Sequence, residues 1–305
     1  MIEGMVDLDT LSRLLRPHPA APDAAVGTVD VLRALSACPA IQSCPAVHAD
    51  ATPELQAFEA WVLSVNALTQ RQLSALSTSE HRALLLLCFR LMQRCCPVVL
   101  DAASEAAQCT VNEIATRVLM QAQMLMPRNS WVQQQLAIAR TAVLLQSRLW
   151  SHTDDECRRL AALALEEGGL PSPRLQLQAA VRPHAAEGAI RSGSLVLVEI
   201  RLVREHALPV GDVGKRAADA PVAAEAYWNY LEGLKPEGTP NSLLAAQPLV
   251  VTDLSQHVLS AQVTFMAPQT AGKYALRLHI ISASVVGVEL EQDLEFVVVA
   301  GGSEQ

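Results

Sequence analysis

The chain has 305 residues, 50% of them hydrophobic and 18% charged, with a formal net charge of −8. That length and composition suit a folded protein of about two domains. The acidic balance excludes a chain that holds a polyanion by bulk attraction, because phosphate neutralisation is the main source of non-specific nucleic-acid affinity, so any such contact has to be local.

At the N-terminus, Glu3, Asp7 and Asp9 stand where a secretory signal needs basic residues and then an apolar run, so no signal peptide is expected. Residues 1–50 read as an N-terminal helical or linker segment, with a Pro- and Ala-rich stretch from Arg16 to Ala25 and a short helix from Thr28 to Leu35. Residues 51–170 carry helical spacing. Thr52-Pro53 marks a helix start, because a Pro at the first helical position gives up an N–H that would go unpaired. Ser77-Thr78-Ser79-Glu80 reads as a capping box opening a helix through Leu84, Leu87 and Leu91, which Pro97 kinks or breaks. Thr110-Val111-Asn112-Glu113 reads as a second box, opening a helix that stops at Pro127. A third helix begins at Asn129-Ser130-Trp131 and ends near Trp150. The most apolar run, Ala83 to Phe89, is cut by Arg90 and Arg94, well short of the roughly 20 residues that span a bilayer, so no membrane insertion is expected.

After Glu166-Glu167-Gly168-Gly169 the apolar period changes from 3.6 to two. Leu175 to Val181, Ser194 to Val203, Ala226 to Leu231, Leu249 to Thr252, Leu259 to Phe265, Tyr274 to Ile280 and Leu294 to Val298 predict about seven strands across residues 171–300, with 301–305 as a tail. That count predicts an immunoglobulin- or fibronectin-like antiparallel β-sandwich behind an α-helical bundle. Ala271-Gly272-Lys273-Tyr274 places Tyr274 where a tyrosine corner forms, and Gly211 to Ala223 and Lys235 to Asn241 read as surface loops.

Chemistry-bearing patterns are sparse. No G-x-x-x-x-G-K-[ST] loop is present to cradle a phosphate, and no G-x-S-x-G holds a nucleophile. The eight histidines have no i, i+4 pair, so neither a metal nor any other cofactor is expected. The seven cysteines, at 38, 44, 88, 95, 96, 109 and 157, form no C-x-x-C and suit a reducing compartment. Cys95-Cys96 beside Arg94 reads as a reactive thiol pair or, more simply, as small buried apolar residues. In the Trp131–Trp150 helix, Gln133, Gln134, Arg140, Gln146 and Arg148 flank an apolar face, either as a solvated surface or as one that tracks a nucleic-acid strand. Trp228 and Tyr230 share one side of a strand, with Tyr227 and Asn229 on the other. No catalytic residue is expected, and the chain reads as a helper and not as a self-sufficient enzyme.

An ordered set of short motifs resembles a known family. Asn129-Ser130-Trp131, Leu144-Leu145-Gln146 to Leu149-Trp150, Ile190-Arg191-Ser192-Gly193, Tyr227-Trp228, and Tyr274-Ala275-Leu276 to Ser282-Ala283-Ser284-Val285-Val286-Gly287 resemble the Sec sixty-three homology unit of Brr-two-type spliceosomal RNA helicases. The same unit occurs in an endoplasmic-reticulum translocation protein. The likeness covers about residues 70–300. It departs from the family at a hairpin region shortened to Ser151–Gly169 and at Val65-Asn66-Ala67-Leu68, where a charged cluster is usual. The resemblance implies a nuclear, non-catalytic unit that guides single-stranded RNA, with Gln134, Arg140 and Arg148 on the strand, and docks proteins of a splicing assembly. The alternatives are an adaptor of the translocation machinery at the cytosolic face of the endoplasmic reticulum, and a free-standing scaffold.

Overall fold

The computed structural model describes residues 2–16, 25–125, 132–149, 159, 162–163, 173–184, 188–206, 225–236, 239, 241–251, 253 and 255–300. An N-terminal helical region precedes a C-terminal sheet region. The helices are α1 (Ile2–Leu14), α2 (Thr28–Ser36), α3 (Pro39–Gln42), α4 (Pro53–Ser64), α5 (Gln70–Ser74), α6 (Thr78–Met92), α7 (Ala102–Leu125) and α8 (Val132–Ser147). The strands are β1 (Leu175–Pro183), β2 (Ile190–Arg191), β3 (Leu195–Arg204), β4 (Ala226–Leu234), β5 (Ser242–Val250), β6 (Val258–Met266), β7 (Gly272–Ser282) and β8 (Glu289–Val299). Two compact units result: residues 1–164 with 285–287, and residues 165–284 with 288–305.

Local chemistry sets the helix starts. At α4, Thr52 Oγ1 accepts from the Leu55 amide at 3.3 Å, ahead of Pro53 in the first position. At α6 a reciprocal box forms: the Ser77 amide donates to Glu80 Oε2 at 2.8 Å and the Glu80 amide to Ser77 Oγ at 3.4 Å. The helix then runs almost wholly buried from Arg82 to Phe89 and ends at Met92, whose carbonyl accepts from the Cys95 and Cys96 amides before Pro97 is reached. Within that apolar run Arg82 donates to the carbonyls of Ala46 (2.9 Å) and Asp50 (2.6 Å), so its burial leaves no orphan charge.

The second expected box is corrected. Helix α7 begins at Ala102, eight residues before Thr110, where the Asp101 carboxylate accepts from the amides of Ala103 (3.2 Å) and Ser104 (3.4 Å). Thr110 lies in the helix interior with its hydroxyl donating back to the Ala106 carbonyl at 3.0 Å. A Thr-x-x-Glu spacing occurs by chance inside helices, and the aspartate upstream wins because it meets amides that have no helical acceptor.

The sheet region holds a three-stranded sheet in the order β1-β3-β6 and a five-stranded sheet in the order β2-β8-β7-β4-β5. Pairing is antiparallel except for the short parallel contact of β2 with β8. Inward residues of both sheets, among them Val198, Ile200, Tyr227, Leu231, Leu278 and Phe296, share one apolar core. Strand β5 starts at Ser242, earlier than the predicted Leu249, and carries Pro248 on the sheet's edge, where a missing N–H costs no ladder bond. The two seams between the sheets are tied by side-chain amides. Gln247 Nε2 donates to the Gln262 carbonyl at 2.8 Å and Gln292 Nε2 to the Ala179 carbonyl at 3.1 Å. Tyr274 Oη donates to the Thr270 carbonyl at 2.8 Å, closing the turn that feeds β7.

Candidate nucleic-acid interface

Helix α8 is almost entirely interior. Val132, Leu136, Ile138, Ala139, Val143 and Leu145 are buried, and the residues that keep solvent contact are Gln133, Arg140, Gln146 and Ser147. Gln133, Arg140 and Ser147 stand seven apart, which aligns them along one strip of the helix. Gln134 is not on that strip. It is 1% exposed, and its Nε2 donates to the carbonyl of Leu15, an acceptor left over at the end of α1. The expectation that Gln134 touches RNA is therefore corrected: its amide serves the interior. Trp131, Trp150 and, apart from residues 159 and 162–163, the Ser151–Gly169 stretch lie outside the described residues.

Arg148 closes α8 in an unusual way. Its φ is +55°, in the left-handed region, and the Leu149 amide reaches back to the Leu144 carbonyl at 3.4 Å while the Leu149 side chain is buried. This is the helix-ending turn in which glycine is usual, because a Cβ is crowded there. An arginine holds the position and its side chain is exposed. Arg90, in the last turn of α6, is held below the ordinary arginine value by its own burial and then by the Arg148 guanidinium, partly offset by Cys109. Electrostatics along the sequence agree: residues 114–153 contain Arg117, Arg128, Arg140 and Arg148 and no Asp or Glu, in a chain whose net charge is −8. That acid-free stretch is the signal by which the sequence could have singled out Arg148 together with a partner; Arg90 lies outside it and needed the packing of α6 to be found.

Two polar clusters stand in the sheet region. Glu225 accepts from Arg204 Nε at 3.0 Å, from Arg204 Nη2 and from Tyr227 Oη, and lies 3.0 Å from His206 Nε2. Burial alone would raise this carboxyl, but the donors of His206, Arg204 and Tyr227 outweigh it and hold it at about 2. Its lone pairs are spoken for, so it anchors and does not transfer protons. In the second cluster His279 is 4% exposed, with Nδ1 and Nε2 each 2.9 Å from a carboxylate oxygen of Glu291 and Glu232 respectively. Asn241 Nδ2 donates to Glu232 at 3.0 Å, and a register shift between Leu231 and Glu232 re-aims this part of β4. Burial raises the Glu232 carboxyl, and His279 and Asn241 outweigh it in the other direction. Trp228 and Tyr230 stack with ring centroids 6.0 Å apart.

Among the described residues no His, Cys, Asp and Glu group is arranged to hold a metal ion, and no helix is long and apolar enough to cross a membrane. Cys95 and Cys109 are exposed, Cys96 is half-buried, and burial pushes the Cys88 thiol up to about 12.

No family model matches the chain, and no curated protein matches it. Among solved structures it aligns with the Pseudomonas fluorescens alkylpurine DNA glycosylase AlkC bound to DNA containing an abasic site analog. That alignment has 11% identity, covers 98% of each chain and has a TM-score of 0.24, too low to assign a fold or an activity. These findings overturn two expectations. The resemblance to the Sec sixty-three unit is withdrawn, since no family model matches the chain and the solved structure named above is a DNA glycosylase. The expectation of a chain without enzymatic activity is withdrawn with it: the solved structure it aligns with is an enzyme, and the alignment itself assigns this chain no activity. The short motifs that carried the resemblance are two to six residues each, and tryptophans and glycines at turns recur in unrelated folds.

Proposed function

We propose that this chain guides a single nucleic-acid strand along its helical region and docks protein partners, with the helices forming a bundle and the two sheets an immunoglobulin-like sandwich. The observation that carries the reading is the acid-free stretch of residues 114–153, which concentrates arginine in an otherwise acidic chain and ends in the exposed Arg148. A local basic surface is what an acidic protein needs to hold a phosphate backbone at all. The tyrosine-to-backbone bond at Tyr274 supports the sandwich, since it ties a late strand to the corner before it.

In this reading the partners belong to an RNA-processing assembly, pre-mRNA splicing in the nucleus being the first case. Fluorescence anisotropy with labelled single-stranded RNA at low salt tests the nucleic-acid half, and a flat titration removes it. Affinity purification of the tagged chain tests the partner half. Splicing factors support it, translocation subunits shift the chain to the endoplasmic reticulum, and neither removes both.

A further inference from the structure

We propose that Arg90 and Arg148 form a two-arginine clamp on one phosphodiester oxyanion of the guided strand. The inference rests on the reading above and gives it a contact point. Helix α7 packs against both α6 and α8, and α6 also meets α8. The connections span only residues 93–101 and 126–131 in sequence, and short links favour antiparallel packing of touching helices, an order that gathers the C-terminal ends of α6 and α8 at one end of the region. Arg90 occupies the last turn of α6 and Arg148 follows the end of α8, so the topology puts both residues at that end, where the Arg148 charge acts on Arg90.

Among the described residues neither arginine meets a carboxylate, and Arg90 Nε is buried with no acceptor. The helix dipole explains a cation at either C-terminal end singly. It does not explain two cations near enough to act on one another, nor an arginine kept in a left-handed backbone where glycine is the easier residue. An oxyanion between the two accounts for both features. It turns the mutual repulsion into attraction, gives the stranded Nε an acceptor, and meets the planar, forked donors that match phosphate geometry. Arg94 lies one turn beyond Arg90 but has an interaction of its own, and the clamp does not need it.

The test uses the full chain, a labelled single-stranded 12-mer RNA in anisotropy, and sulfate alone in thermal melts. Arg90→Ala and Arg148→Ala are each expected to weaken RNA binding about tenfold and to flatten the fall of log K against log salt. Sulfate is expected to raise the melting temperature of the parent and not of the double variant. Lys273→Ala, which removes a cation paired with Glu295 in the sheet region, controls for net charge. Arg148 is exposed, so its variant folds even if Arg90→Ala does not. RNA binding that survives both arginine substitutions overturns the clamp and leaves the guiding function standing. Sulfate stabilisation lost in the double variant, with no RNA binding by the parent, leaves the two arginines as a site for a free oxyanion and overturns both the strand clamp and the guiding function. If the parent responds to neither ligand, both fall.

Discussion

Single side chains in this protein carry large and opposite effects. Arg204 is 1% exposed and its charge is balanced by Glu225, so Glu225→Gln leaves a buried guanidinium short of its partner. The expected cost is about 3–5 kcal/mol, read by urea unfolding of the sheet region. Because the Glu225 carboxyl is held at about 2, below its ordinary 4.5, its contribution is complete above about pH 4.5 and is lost as the pH falls towards 2. Unfolding curves of the parent are expected to steepen in pH dependence across that window, and those of Glu225→Gln to flatten. Asn229 predicts the opposite sign. It is 1% exposed on the inner face of β4, and neither of its amide atoms has a hydrogen-bond partner. Asn229→Leu removes that desolvation cost and is expected to stabilise by about 1–3 kcal/mol. Arg148 separates stability from function. Arg148→Gly relieves a left-handed Cβ and is expected to raise stability by about 1 kcal/mol while RNA affinity falls, a combination no purely structural role gives.

At the scale of elements, legibility followed how local the cause was. The starts of α4 and α6 and the alternation of β1, β3, β6, β7 and β8 stand in the sequence because each is decided by residues within a few positions. The start of α7 was misread at Thr110, since capping spacing in a sequence does not say whether the preceding turn is already helical. Thr110→Ala distinguishes the two cases. A cap loses about 1 kcal/mol on that change, whereas an exposed interior threonine gains a few tenths from alanine's propensity, and the gain is expected in thermal melts. Strand β5 was missed over Ser242–Gln247 because Leu243-Leu244-Ala245-Ala246 does not alternate and Pro248 argues against a strand. Its position on the edge is what permits both. The residues of α8 looked like a surface helix by spacing, yet Gln134, Gln135 and Thr141 are buried, and only the end of α1 explains where one of the three finds a partner.

For the whole molecule, the charge balance bounds what binding can look like. With 31 acidic and 23 basic side chains the chain offers no net long-range attraction to nucleic acid, so in the proposed reading the affinity comes from the few arginines at the ends of α6 and α8. The order of helices before sheets was legible from the change of period near residue 170, a property of long stretches. The proposed clamp was not, because Arg90 and Arg148 are 58 positions apart and only the packing of α6 and α8 relates them. A clamp that neutralises one phosphate releases about one counterion's worth of charge, so log K is expected to fall against log salt with a slope of about −0.7 for a single strand. A slope several times steeper would mean a broad basic surface, which this acidic chain does not present, and a slope of zero would mean binding through base stacking alone. Anisotropy titrations from low to physiological salt distinguish the three.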